Sequence, residues 1–323
     1  MKRVALKQIT ENTAYITGAV NVGVIETEGG GVILIDSGLE ERVARRLLDT
    51  LQRKGLYPLA VINTHGHPDH CGGSAYLKQE AGVEIVASRP EAVLMENPWL
   101  EPRYLTCGAE PFPGLENKFL QGEPVEVDHL LHMNELSPPA GPEGSPASGR
   151  EENSLNIPGL NPVSPLTAVD LSGHTPGMIG IACEGVLFCA DSFFAAGTLK
   201  RHPVPHLMDV GGFLQTLEEL EASDYSHYLP SHGRLSSDIS ALLEQNSGRV
   251  QDILTFMRER LQQSQAGTEE IIGEVFEHYQ VDIDDVQSYC LNRTALLAHL
   301  SHLLRRDEIE VTAARSGLRW SAS

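Results

Sequence analysis

The sequence predicts an α/β protein, and three observations lead to that expectation. Short hydrophobic runs, Gly31-Val32-Ile33-Leu34-Ile35 and Leu59-Ala60-Val61-Ile62-Asn63, stop abruptly at polar or turn residues, as buried strands do. Between them, Val43, Leu47, Leu48 and Leu51 fall at helical spacing across 39–54, which makes a strand–helix–strand unit. The third observation is chemical: Thr64-His65-Gly66-His67-Pro68-Asp69-His70-Cys71 follows the second run directly, so a dense polar cluster sits on the loop at a strand end.

Taken in order, residues 4–8, 13–18 and 20–27 read as an opening antiparallel sheet, with turns at Glu11-Asn12 and Glu28-Gly29-Gly30-Gly31. The buried strand over 31–35 ends at Asp36-Ser37-Gly38, where Asp36 either supports a neighbouring loop or caps the next helix. A helix begins at Ser74, and 83–87 is another strand. From about Asn97 to Pro165 the character changes. Prolines concentrate there, and 137–165 lacks apolar periodicity, so it reads as a long mobile loop. Two stretches, Tyr104-Leu105-Thr106-Cys107-Gly108 and Phe112-Pro113-Gly114-Leu115, read as its more ordered part and a candidate substrate wall. Strands return at 166–170 and 178–191 with Gly185 at the turn, followed by a helix over 208–221 and a strand over 225–229.

Past Leu235 the pattern becomes helical. Ile239, Leu242, Leu243, Val250, Ile253, Leu254, Met257 and Leu261 mark one long amphipathic helix, and shorter ones follow. The last stretch alternates strictly through Glu308-Ile309-Glu310-Val311-Thr312 and, after a Ser316-Gly317 turn, through Leu318 and Trp320. The expected division is a catalytic unit over 1–235, with an insertion at about 97–165, and a helical unit over 236–323.

Four potential ligands within six residues, three imidazoles and one carboxylate, predict a metal site. On an extended loop His65 and His67 project to one side, while Asp69 and His70 can turn toward a second position, and two adjacent subsites would allow a dinuclear centre. The run H-x-H-x-D-H resembles the metallo-β-lactamase superfamily. The rest of that pattern is found in Gly173-His174-Thr175-Pro176-Gly177, in Val186-Leu187-Phe188-Cys189-Ala190-Asp191, and in Pro230-Ser231-His232-Gly233. The resemblance covers roughly residues 4 to 240. It implies a four-layered αββα sandwich, with His65, His67 and His174 on one metal, Asp69, His70 and His232 on another, and Asp191 bridging. It also implies that Asp36 supports the metal loop from behind. The tail, with three helices and a hairpin, is similar to the winged-helix-like extension of the β-lactamase-like protein 2 group.

The implied cofactor is a pair of divalent metal ions, zinc expected, with iron or manganese accepted by the same donors. Water shared between two such ions loses a proton near neutral pH and becomes a hydroxide nucleophile, and Asp69 can orient that water or take a proton during the reaction. Asp191 stands where antibiotic-degrading members mostly carry Cys, which points toward an ester, thioester or lactone hydrolase of the glyoxalase II kind. Glutathione-binding residues are not recognisable, however. The alternatives are a phosphodiesterase or ribonuclease, and a mononuclear iron persulfide dioxygenase built on His65, His174 and Asp191. His202 and His206 are further candidates for facing substrate, with Lys200 or Arg201.

Composition narrows the partners. With 24 basic and 44 acidic residues the chain carries a formal charge of −20, a field that repels nucleic acid and leaves a small-molecule substrate as the expectation. From Arg249 to Ser323 eight arginines against twelve acids give −4, so the tail reads as a packing or homodimerisation module. No apolar run suggests a membrane span, and the N-terminus lacks a secretory leader pattern, so a cytoplasmic location is expected. Five cysteines without C-x-x-C spacing predict no disulfide framework.

Overall fold

The computed structural model describes residues 5–132 and 155–323. Strands β1 (Leu6–Gln8), β2 (Thr13–Ile16), β3 (Val22–Glu26) and β4 (Gly31–Ile35) pair antiparallel in sequence order. Parallel strands need a crossover. The helix α1 (Glu41–Gln52) carries the chain from β4 to β5 (Tyr57–Ile62). One short turn, α2 (Pro68–Cys71), and α3 (Ser74–Ala81) then lead to β6 (Glu84–Ser88). Helices α4 (Arg89–Glu96) and α5 (Leu100–Leu105) precede β7 (His129–Leu131), which closes a seven-stranded sheet in the order β1 to β7.

A second sheet is built from β8 (Thr167–Asp170), β9 (Ile179–Cys183) and β10 (Val186–Ala190). After α6 (Ala196–Arg201) and α7 (Val210–Glu221), β11 (His227–Pro230) joins it parallel to β10, giving the order β11-β10-β9-β8. The tail comprises α8 (Ser240–Gln263), β12 (Ala266–Gly267), α9 (Thr268–Tyr279), α10 (Val286–Arg305), β13 (Ile309–Ala314) and β14 (Gly317–Ala322). Its three strands pair in the order β12-β14-β13. No helix among the described residues is long and apolar enough to cross a membrane.

Side-chain alternation along the strands assigns the layers. Val32, Leu34, Val61 and Ile85 pack outward against Leu47, Leu51 and Leu77 of α1 and α3. Their neighbours Ile33, Ile35, Ile62 and Val86 face the second sheet, meeting Ile179, Ile181 and Phe188. The far side of that sheet, through Val169 and Leu187, packs on Phe213 and Leu217 of α7. The result is the expected helix–sheet–sheet–helix sandwich. The outermost core continues without a break into Val250, Ile253 and Met257 of α8, Leu296 and Leu300 of α10, and Trp320.

The proline-rich region differs from its sequence reading. Residues 133–154, including most of the mobile loop expected over 137–165, lie outside the described residues. Residues 155–165, however, are packed. Ile157 and Leu160 are buried between the sheets, and the Val163 N–H donates to the Glu26 carbonyl at 3.2 Å. Likewise 97–131 contains α5 and buries Leu105, Leu115 and Leu120. Isolated apolar anchors hold these stretches, and anchors without a period leave no pattern to detect.

One carboxylate ties the two sheets together at an edge. Glu184, in the β9–β10 turn, accepts from the Asn12 N–H at 3.1 Å and the Ser164 hydroxyl at 2.7 Å, and also from the Thr10 hydroxyl. Burial opposes its ionisation, but hydrogen bonds from Thr10, Asn12 and Ser164 pull the carboxyl down to about 2. A folded pKa below the unfolded value near 4.3 means that this stabilisation is complete above about pH 4.5 and lost toward pH 2. Glu184→Gln is therefore expected to cost about 1–2 kcal/mol at pH 7. Denaturant unfolding at several pH values checks this: the gap between variant and parent should shrink between about pH 4.5 and 2. A gap independent of pH would remove the linkage.

Candidate metal centre

The polar side chains of interest all emerge where strands end. His65 and His67 lie on the loop after β5, Asp69 and His70 on α2, and His174 between β8 and β9. Asp191 directly follows β10, and His232 follows β11. Two glycines allow this crowding. A side chain at Gly173, whose φ is 137°, would sit 2.4 Å from the Phe213 backbone, and one at Gly66 would sit 2.9 Å from Leu94 Cβ.

All seven residues converge. His65, His67 and His174 place their donor atoms within 4.8 Å of one another, and so do Asp69, His70 and His232. His67 Nδ1 lies 3.0 Å from His174 Nε2, and Asp69 Oδ2 lies 3.1 Å from His232 Nε2. Asp191 stands between the groups: its Oδ2 is 3.5 Å from His232 Nε2, 3.6 Å from His70 Nε2 and 3.9 Å from His174 Nε2. Most of these side chains are buried, whereas those of Asp69 and His232 are 38% and 37% exposed, so solvent enters from their side.

The donors fit divalent metal on chemical grounds. His65 Nε2, His70 Nε2 and Asp191 Oδ1 are buried with no hydrogen-bond partner, a costly state for atoms that face one another. Burial and neighbouring imidazoles push His65 and His67 well below the usual histidine range, and burial lowers His174, keeping all three in the neutral, ligating form. Around the other group charge is shared. Burial disfavours a charged His70, yet Asp69, Asp191 and Asp36 raise it well above its ordinary value, and Asp69 and Asp191 are lowered in return by His70 and His232.

Asp36 takes the supporting role rather than the capping one. Its Oδ2 lies 2.8 Å from His70 Nδ1 and accepts from the Thr64 hydroxyl at 3.0 Å, while Oδ1 accepts the Thr64 N–H at 2.8 Å. The N-cap of α1 is Glu40. Such partners fix the tautomer and direction of a ligating imidazole.

Other candidates separate clearly. His206 is near the centre: its ring centroid is 5.8 Å from those of His67 and His174, and its backbone carbonyl faces His174 Nδ1 at 2.8 Å. His202 is exposed at the end of α6. Cys71 points its thiol at the Gly66 carbonyl, 3.3 Å away, and burial raises it well above the usual thiol range. From the two stretches expected as a substrate wall, Leu105, Cys107 and Phe112 line a cavity of about 660 Å³ against Val286 and Tyr289 of α10. Glu101 of α5, outside those stretches, faces the centre with Oε1 3.9 Å from His67 Nε2.

Sequence reasoning missed Glu91, Glu101 and Asn246. Buried Glu91 bonds the loops of His65–His67 and His174. Asn246 of α8 accepts the Phe194 N–H at 2.9 Å and donates to the Phe194 carbonyl at 2.8 Å, and the Phe194 ring stands 5.9 Å from His174. Nothing in the local sequence marks any of the three.

Comparison with known proteins agrees with this geometry. Along nearly its whole length the chain shares its fold with a beta-lactamase domain protein from Burkholderia ambifaria (TM-score 0.69, 17% identity, 98% of this chain and 93% of that one). A metallo-beta-lactamase family protein from Thermus thermophilus is similar as well (TM-score 0.67, 18% identity, 99% and 98%). Among curated proteins it is similar to a hydroxyacylglutathione hydrolase from Shewanella pealeana, 26% identical over 53% of this chain and 44% of that protein. It is also similar to the hydroxyacylglutathione hydrolase GloC of Haemophilus influenzae, 29% identical over 55% and 68%. The chain thus spans under half the length of the first of these relatives. The family described as the metallo-beta-lactamase superfamily matches residues 15–232, well over half of the 323 residues, so the chain belongs to that superfamily.

Proposed function

We propose that this protein is a dinuclear metal-dependent hydrolase of small thioesters whose thiol portion carries acidic groups. The observation that carries the reading is the position of Asp191, whose one oxygen lies within 3.9 Å of imidazoles from both groups of donors. In this reading His65, His67 and His174 would hold one ion and Asp69, His70 and His232 a second, with Asp191 placed to serve either. Zinc is the metal expected of such N/O donors. Bound divalent ions lower the pKa of water and polarise a carbonyl oxygen. Asp69, on the solvent side, orients the attacking water and takes up its proton. Phe194, beside His174, walls the acyl side and excludes bulk water.

A cavity between α6 and α8 supports the substrate class. It measures about 480 Å³, and its charged lining is Lys200 of α6 with Arg249 and Asp252 of α8, beside Tyr279. Neither cation forms an ion pair among the described residues, in a chain of charge −20. Two such cations suit the carboxylates of a glutathione-like leaving thiol, the kind of thioester that the curated relatives are named for. Lys200 lies in the 196–203 stretch and Arg249 in the tail, which is why no binding pattern is visible along the chain.

Two measurements test the reading. Elemental analysis should find two equivalents of zinc per chain, and thiol release should follow addition of a hydroxyacyl thioester of glutathione, with oxygen esters and lactones cleaved more slowly. One equivalent of iron with oxygen uptake would instead favour the persulfide dioxygenase reading. Lys200→Ala and Arg249→Ala should each raise KM by about tenfold, as loss of a charge-assisted hydrogen bond does, with kcat little changed. Unchanged KM in both variants would remove the acidic thiol from the proposal.

A further inference from the structure

One buried carboxylate treats the two halves of the metal centre differently. Glu91, in the first turn of α4, is 1% exposed. Its Oε2 accepts the Gly66 N–H at 2.9 Å, and its Oε1 accepts the Thr175 hydroxyl at 2.7 Å and the Gly177 N–H at 2.9 Å. Gly66 lies between His65 and His67, and Thr175 follows His174. All three bonds therefore end on the two loops that carry one donor group. The remaining group is held by Asp36, which contacts His70 directly. Asp36 reaches the first group through Thr64, whose N–H and hydroxyl both donate to it and whose hydroxyl lies 3.1 Å from His65 Nδ1.

Packing reinforces the division. A Cβ on Gly66 would lie 3.2 Å from the Glu91 carbonyl oxygen, and one on Gly177 would lie 2.7 Å from Ser88 Oγ. Ser88 also donates its hydroxyl to the Gly177 carbonyl at 2.6 Å. Both loops press on the same helical turn and leave no slack between them.

We infer that Glu91 is a positioning residue for one metal subsite. It locks His65 and His67 against His174, and none of its hydrogen bonds ends on Asp69, His70 or His232, so its loss weakens the first subsite more than the second. The inference rests on the dinuclear reading above. Its three partners are all donors, which an acceptor-only carboxylate satisfies completely. In Glu91→Gln the amide –NH₂ must face at least one of those donors, and the loop it faces shifts. Outer partners of this kind set ligand geometry and hence metal affinity.

The test uses the full-length chain in two backgrounds. His232→Ala leaves the His65–His67–His174 subsite to be measured, and His67→Ala leaves the other. Each apo-protein is titrated with Co²⁺ against a chromophoric chelator, with the d–d bands reporting coordination. Glu91→Gln should lower affinity about 10- to 100-fold in the His232→Ala background. In the His67→Ala background the loss should be clearly smaller, because no hydrogen bond of Glu91 ends on Asp69, His70 or His232. Thr175→Val, which removes one of the three bonds, should give a smaller loss in the first background alone, and it decides the matter should Glu91→Gln fail to fold. Equal losses in both backgrounds, or none in either, would overturn the proposal and make Glu91 an ordinary fold contact. A parent chain that takes up no Co²⁺ would overturn the metal reading instead.

Discussion

Asp191→Ala is expected to bind one metal ion where the parent binds two, and to lose on the order of 10³-fold in kcat. The magnitude follows from the several kcal/mol that a bound cation contributes to stabilising transition-state charge, at about 1.4 kcal/mol per tenfold. Asp191 Oδ2 lies 3.5 to 3.9 Å from three imidazole nitrogens drawn from both donor groups, so its removal leaves both subsites short of a ligand. It also removes the carboxylate that stands between them, and the two cations then repel each other unscreened. Metal content by elemental analysis together with thioester turnover reads both effects. A variant that kept two ions and most of its activity would show that Asp191 does not bridge.

A chain truncated after Ser236 is expected not to fold. The sequence suggests a boundary there, but the core does not respect it: Phe213, Leu217 and Leu220 of α7 belong to the same buried cluster as Val250, Ile253, Leu296 and Leu300. Uncovering these three α7 side chains costs about 4.5–9 kcal/mol, comparable to the whole stability of about 5–15 kcal/mol typical of a domain. Full-length protein should accordingly melt in one calorimetric transition with equal calorimetric and van't Hoff enthalpies. Two resolved transitions, or a soluble 1–236 fragment that binds metal, would show that the tail is a separable unit.

The metal-site candidates were legible because ligation demands particular residue types, and because four of them are neighbours in the chain. Sheet strands were legible where hydrophobic runs end in turn residues, as at Ile35-Asp36 and Ile62-Asn63. Helices α4 and α5 were not, since eight and six residues interrupted by Pro90 and Pro102 are too short to display a period. Glu91 was invisible for a different reason. An acid in the first turn of a helix is ordinary there, and its partners Thr175 and Gly177 lie 84 and 86 residues away. Separation along the chain likewise hides that Lys200 and Arg249 line one cavity. Residue types betray metal chemistry, whereas positioning and substrate recognition depend on which distant segments meet.

The clamp of Asn246 on Phe194 has a consequence for how such an enzyme diversifies. A single amide from α8, 52 residues downstream, sets the path of the loop that flanks the acyl side of the centre. Changes in the tail can therefore retune which acyl groups are admitted while every metal ligand stays in place. Selection for a new substrate would concentrate on the seam between α6 and α8, and laboratory evolution of this protein should accumulate its first useful mutations there.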